Sequence, residues 1–183
     1  MARIRSLRPN VTREEATEQF SSGLGDILRT TAFGPLKSVA DFYIPFRLFQ
    51  VEIFNRGKRD QRVFGLDAVN GSLDLYHFEQ LPDEREVIYL ETRNCSEPLL
   101  DEAEAKKIVA AKVQRLLFST GFFRVRNLRI SAEPVAGEIY IPYWVGFRGR
   151  GARARFAVMD AVRRKMEGAK VRHLLQAWLT SIR

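Results

Sequence analysis

The sequence predicts an α+β fold of two repeated units, each a helix packed on an antiparallel β-meander, with a C-terminal helix at the end. A strand pair that occurs twice is the first observation: Tyr-Ile-Pro at 43–45 and 140–142 is followed by Asp-Ala-Val at 67–69 and 160–162. The second observation is a capped helical pattern that precedes each strand pair. The third is an alternation of apolar and polar residues between the two strand pairs. The repeat divides the chain into residues 1–97 and 98–183.

Composition limits the classes of protein that the chain can belong to. Its 183 residues are 45% hydrophobic and 28% charged, which is typical of a globular protein. A single cysteine, Cys95, cannot form an internal disulfide, and with two histidines it argues against a His/Cys zinc site. No signal peptide and no membrane span are predicted, because no apolar run is long enough. We therefore expect a cytoplasmic protein without a metal site.

The first unit begins with a helix over residues 11–31, with Thr12 as N-cap and Glu15 completing a capping box. A strand over 36–54, a turn at 56–60 and a return strand over 62–69 follow. Asn70-Gly71 is typical of a type I′ hairpin turn, with positive φ at both residues, and predicts a third strand over 72–78. Alternation then predicts a strand over 86–93.

The second unit begins with another helix, capped by Asp101 with Glu104 and running to about Ser119. Strands are predicted over 122–132 and 138–147, joined by residues 134–137, with a return strand over 152–159. A last helix over 169–182 buries an apolar face of Val171, Leu174, Leu175, Trp178 and Leu179.

The helix starts and strand ends resemble a known family. The matching stretches are 11–16 with 65–71 and 100–105 with 158–162, where a Glu-Glu-Ala-like helix start precedes a strand that ends in Asp. This pattern resembles the PepSY domain and its cystatin-like relatives. The resemblance implies a module that binds or inhibits other proteins and is usually exported, and it brings no catalytic residues.

Charge is unevenly spread, and it suggests one binding surface. The formal net charge is +8, with an acidic stretch over 79–104 and a basic C-terminal region. A basic tip is predicted at the second strand pair, where arginines lie among aromatic residues: Arg148, Arg150, Arg153, Arg155, Tyr143 and Trp144. Proteins that bind single-stranded nucleic acid often have basic residues among aromatic residues. A solvated basic face is nevertheless the better explanation of the arginines in this chain. We expect at most weak nucleic-acid binding here.

Asp67 and Asp160 occupy equivalent positions in the predicted repeat, so a pair of catalytic carboxylates is one interpretation. Capping of the turn that follows each strand is the favoured interpretation. No catalytic residue, cofactor or metal ligand is predicted. The predicted function is a non-enzymatic protein-interaction or regulatory module whose partner is another protein or a second copy of itself. A nucleic-acid-associated protein and a small-ligand binder between the two halves are the alternatives.

Overall fold

The computed structural model describes residues 1–22, 30–31, 34–119, 126–149 and 155–181. The fold is α+β with a mostly antiparallel sheet, as predicted. The elements in chain order are β1 (Ala2–Leu7), α1 (Arg13–Phe20), β2 (Leu36–Asn55), β3 (Lys58–Asp67), β4 (Tyr76–Phe78), β5 (Val87–Thr92), α2 (Glu102–Ser119), β6 (Arg129–Arg148), β7 (Arg155–Asp160), β8 (Lys165–Met166) and α3 (Ala169–Ser181). The strand order is β4-β3-β2-β6-β1-β5, with β7 paired to β6 and β8 to β7.

The chain forms two compact units that interleave along the sequence. Unit 1 contains residues 1–44, 88–96 and 141–183, and unit 2 contains residues 45–87 and 97–140. This division differs from the predicted boundary at residue 97, because β2 and β6 are each long enough to contribute to both units.

In unit 1, the N-terminal end of α1 is held by the strand pair β6–β7. The antiparallel register places Tyr143 opposite Asp160. Just beyond β7, the carbonyl of Ala161 accepts the backbone N–H groups of Asn10 and Val11 at 2.8 and 3.0 Å. α1 packs on these strands in a buried core formed by Val11, Ala16, Phe20, Val39 and Met159. Partly buried residues pack against this core: Leu36, Trp144, Ala157 and Met166.

The start of α1 is the capping box that the sequence predicts. Glu15 donates its backbone N–H to the Thr12 hydroxyl at 3.2 Å, and the Glu15 carboxylate accepts the Thr12 N–H at 2.8 Å. The Thr12 N–H bond is the main reason that the pKa of Glu15 is lowered, and Arg164 adds to the effect. Two N–H groups that a helix start leaves without partners are thus satisfied locally.

Unit 2 contains the corresponding arrangement of α2 on β2–β3. Phe46 lies opposite Asp67, and the carbonyl of Ala68 accepts the N–H groups of Leu99 and Leu100 at 2.8 and 2.9 Å. Asp101 caps α2 by accepting the Glu104 N–H at 2.8 Å. The core is Phe49, Val51, Ile53, Phe64, Leu66, Leu100, Ala105, Val109, Val113 and Ala132.

The pairing of helices with strands differs from the prediction. Each helix was expected to pack on the meander that follows it, yet the core of α1 includes Trp144 and Met159 of β6 and β7. The core of α2 includes Phe49 and Phe64 of β2 and β3. The backbone bonds to Ala161 and Ala68 account for this, because they hold each helix start against the end of the strand pair from the other half of the sequence.

Two local predictions about strands also need correction, and a third lies partly outside the described residues. Residues 2–7 form β1, where no element was predicted, although Ile4 is buried between the exposed or half-buried Arg3 and Arg5. The break predicted at 134–137 is absent, since β6 continues through Gly137, which takes a φ of 80°. The predicted strand 122–132 falls partly on residues outside the described ranges.

Candidate functional site

Asp67 organises the turn after β3 from a completely buried position. Its Oδ1 accepts the backbone N–H groups of Asn70 and Gly71 at 3.0 Å each, and its Oδ2 accepts the Leu73 N–H at 2.7 Å. The predicted type I′ hairpin is wrong, because Gly71 has a φ of 68° whereas Asn70 does not have a positive φ. A carboxylate that takes three backbone N–H groups selects this longer turn instead.

Asp160 does the same at the end of β7, where it is also completely buried. Its Oδ1 accepts the N–H groups of Val162 and Arg163, both at 2.8 Å. Arg164, four residues after Asp160, has a positive φ of 56°, and Gly71, four residues after Asp67, also has a positive φ. Both repeat-equivalent carboxylates therefore stabilise turns, which is the favoured interpretation from the sequence.

Two residues of the predicted basic tip, Arg150 and Arg153, lie outside the described ranges. Among its described members, Arg155 is exposed, whereas Tyr143 is buried and Trp144 is half-buried. Arg148 is only 6% exposed, and its guanidinium donates to the carbonyls of Phe20 and Gly34 at 2.6 and 3.2 Å. Arg148 and Arg155 pair across β6–β7, so they flank the connection as predicted. Binding of a partner by these residues stays a prediction.

A cavity in unit 1 is the feature with the geometry of a ligand site. Its volume is about 410 Å³, within the range of roughly 300–1,000 Å³ that is typical of small-molecule sites. Its apolar wall is formed by Phe42 of β2, by β6 and by α3: Phe42, Val145, Phe147, Leu175, Trp178 and Leu179. We call this feature the α3 cavity.

The aromatic part of that wall is held in place by α3. The rings of Phe42 and Trp178 lie 4.5 Å apart between centroids at an interplanar angle of 54°. Trp178 also donates its Nε1–H to the carbonyl of Cys95 at 3.1 Å. Leu174 and Leu175 are buried on the same helix, as the sequence predicts. One indole is thereby fixed at both its apolar ring and its polar edge.

Polar groups line another part of the α3 cavity. Asp41, Arg93 and Asn94 contribute to the wall, and the Asp41 carboxylate accepts Asn94 Nδ2 at 3.0 Å. The Tyr43 hydroxyl also donates to Asp41, and the pKa of Tyr43 is raised by burial and by that negative charge. An apolar cavity with a few fixed polar groups is the usual composition of a ligand site.

The residues of the α3 cavity could not be selected from the sequence, because they come from four distant segments of the chain. Asp41, Arg93 and Trp178 become neighbours only through the sheet and α3. The sequence does indicate one of these residues, because the apolar pattern of the last helix places Trp178 on its buried face.

Comparison with protein-family models, with curated proteins and with solved structures found no match. The resemblance to PepSY and cystatin-like modules therefore stays a prediction. In the described ranges, no helix has the length and apolarity needed to cross a membrane. The same residues contain no group of three or more His, Cys, Asp or Glu side chains that could hold a metal ion.

Proposed function

We propose that this protein is a non-enzymatic binding module that takes a small, largely apolar molecule into the α3 cavity. The observation that carries the proposal is the composition of its wall, which combines two aromatic rings in tilted contact with a small group of polar side chains. A regulatory role fits a site without a catalytic constellation, because the two repeat carboxylates hold turns. A cytoplasmic location stays a prediction from the single cysteine.

Saturation-transfer NMR with a panel of small probes (indole, phenol and cyclohexanol) tests the proposal. We expect transfer in the wild-type protein, and its loss in Ala40→Leu, because Ala40 lines the cavity and the larger side chain would fill it. Ala2→Leu, at an exposed position of β1, is the matched control and should keep the signal. Absence of transfer in the wild type, or its persistence in Ala40→Leu, would contradict the proposal.

We also propose that the two units are copies of one module that exchange their helices. Equal registers support this: Phe46 lies opposite Asp67, and Tyr143, at the corresponding place in the second motif, lies opposite Asp160. Both aspartates then fold the next turn with their side chains. Unrelated hairpins have no physical reason to share both the register and the turn chemistry.

The next residue of each strand gives independent support for the duplication. Arg47 donates from Nη1 to the carbonyl of Leu100 at 3.2 Å, and Trp144 donates from Nε1 to the carbonyl of Val11 at 2.8 Å. Leu100 and Val11 each precede the N-cap residue of a helix. Two different side chains thus bond the carbonyl at the same position relative to a helix start, which is the pattern expected of diverged copies.

Association through β5 is a second candidate function, in line with the predicted protein partner. β5 lies at the end of the strand order, and its Tyr89 is 66% exposed. An end strand offers unpaired backbone groups to an added strand from a second copy of the chain. We expect sedimentation velocity to show concentration-dependent dimers that Tyr89→Lys weakens. A wild-type monomer at every concentration would rule out this self-association.

A further inference from the structure

We infer that the ligand of the α3 cavity is a zwitterion with an apolar body, the chemistry of a free apolar α-amino acid. This inference rests on the proposed function and adds the chemical class of the ligand. It follows from two opposite charges on the wall, Asp41 and Arg93, which are set beside an apolar volume.

The two charges are available to a ligand because they do not neutralise each other. Asp41 and Arg93 both line the cavity, yet no ion pair joins them. A ligand with one charged group would contact only one of these two wall charges. A ligand that carries both an ammonium and a carboxylate can bind both wall charges. The site would therefore select a zwitterion over a ligand with a single charge.

Asp41 is positioned to accept an ammonium group. Its carboxylate is oriented by Asn94 Nδ2, at 3.0 Å, and by the Tyr43 hydroxyl. Two oxygens offer about four acceptor sites, so two such bonds leave capacity for a ligand N–H. The side chain is half-buried, where a charge-assisted bond is stronger than in open water.

Arg93 is positioned to bind a carboxylate. It is exposed, and within the described ranges it makes no hydrogen bond or ion pair with another residue. The planar guanidinium presents its N–H groups as a fork that matches a carboxylate. A guanidinium at the mouth of an apolar cavity therefore favours an anionic head group.

The remaining wall fits an apolar side chain. The Phe42 and Trp178 rings are in contact, and Leu175 also lines the cavity with its apolar side chain. A volume of about 410 Å³ has room for an aromatic or branched aliphatic amino acid but not for a long polymer segment.

Isothermal titration calorimetry with three probes on the full chain tests the inference. The probes are L-phenylalanine, phenethylamine (no carboxylate) and 3-phenylpropionate (no amine). We expect L-phenylalanine to bind at least about tenfold more tightly than either analogue. Arg93→Gln should remove the preference over phenethylamine, and Asp41→Asn should remove the preference over 3-phenylpropionate. Arg3→Gln, an exposed arginine of the same unit, is the control and should change neither ratio.

The outcomes distinguish a failure of the zwitterionic ligand from a failure of the binding site itself. Equal affinities for the three probes, or ratios unchanged in Arg93→Gln, would overturn the zwitterion while leaving the apolar site in place. If neither these probes nor the neutral panel binds the wild type, the proposed function itself fails. Circular dichroism checks that Asp41→Asn folds, and Arg93→Gln keeps the test decisive if it does not, because Arg93 is exposed.

Discussion

Gly146 lies so close to the ring of Phe20 that a Cβ built on the glycine would be 2.8 Å from Phe20 Cδ2. In the other unit, the positions that correspond under the proposed duplication are held by Phe49 and Val109, which are both completely buried in one core cluster. The large residue is thus on the helix in unit 1 and on the strand in unit 2. Such an exchange of volumes conserves the total that the core must fill.

The proposed duplication predicts that a substitution at Phe20 rescues one at Gly146. Gly146→Phe alone should lower the free energy of unfolding by about 2 kcal/mol or more, because the core of unit 1 becomes overfilled. Adding Phe20→Val should recover at least about 1 kcal/mol of that loss in urea denaturation. The control is Phe20→Val alone, which should destabilise through the cavity that it leaves. If the double variant is no more stable than Gly146→Phe, Gly146 and Phe20 do not correspond to Phe49 and Val109 of the other unit.

Asp67 should be among the most costly residues to replace with alanine. The change leaves three backbone N–H groups without their acceptor in a buried turn, so we expect a loss of about 3 kcal/mol or more in urea denaturation. Asp67→Asn keeps one acceptor oxygen and should cost less. Equal losses for the two variants would show that the accepting oxygens do not determine the turn.

Gly71 should tolerate no side chain, for two separable reasons. Its φ is 68°, and an added Cβ would lie 2.9 Å from Ile108 Cδ1. Gly71→Ala should therefore cost about 1 kcal/mol or more in thermal or urea unfolding. Gly137→Ala is the matched control, since Gly137 has a φ of 80° with no atom near the added Cβ. A smaller loss at Gly71 than at Gly137 would contradict the close packing at Ile108.

Glu167 makes stability depend on pH in unit 1. Burial, and then the negative charge of Asp160, raise the pKa of Glu167 above its ordinary value of 4.5, against the opposing effects of Lys165 and Arg163. The folded state therefore holds this proton more tightly than the unfolded state, and stability is lost as the pH rises above about 4.5.

Glu167→Gln removes that ionisation, so it should raise the melting temperature at pH 7 and make little difference below about pH 4. Glu14→Gln, an exposed carboxyl on α1, is the control for the change in net charge. A melting temperature that falls at pH 7 in Glu167→Gln would mean that the ionised carboxylate stabilises the fold.

Local chemistry was predictable from the sequence, whereas pairing between distant segments was not. The Thr12–Glu15 capping box and the buried face of α3 depend on residues a few positions apart, and both predictions are confirmed. The Asn70-Gly71 turn was misjudged because the Asp67 side chain competes with the backbone preference of that dipeptide.

The packing of α1 on β6–β7 and the α3 cavity could not be predicted from the sequence. A helical pattern shows which face is apolar but not which strand pair covers it, so α1 could not be assigned to β6–β7. Asp41 and Arg93 carry no distinctive motif in the sequence, and their role rests on a wall that distant segments build together.

The most direct test of the proposed binding site uses the indole N–H signals of the two tryptophans. Trp178 lines the α3 cavity and donates to Cys95, whereas Trp144 packs in the α1 core and donates to Val11. In ¹H–¹⁵N spectra titrated with phenol, we predict a saturable shift of the Trp178 signal and an almost unchanged Trp144 signal. A Trp178 signal that stays in place at saturating phenol would contradict ligand binding in this cavity, and so would equal shifts of both indoles.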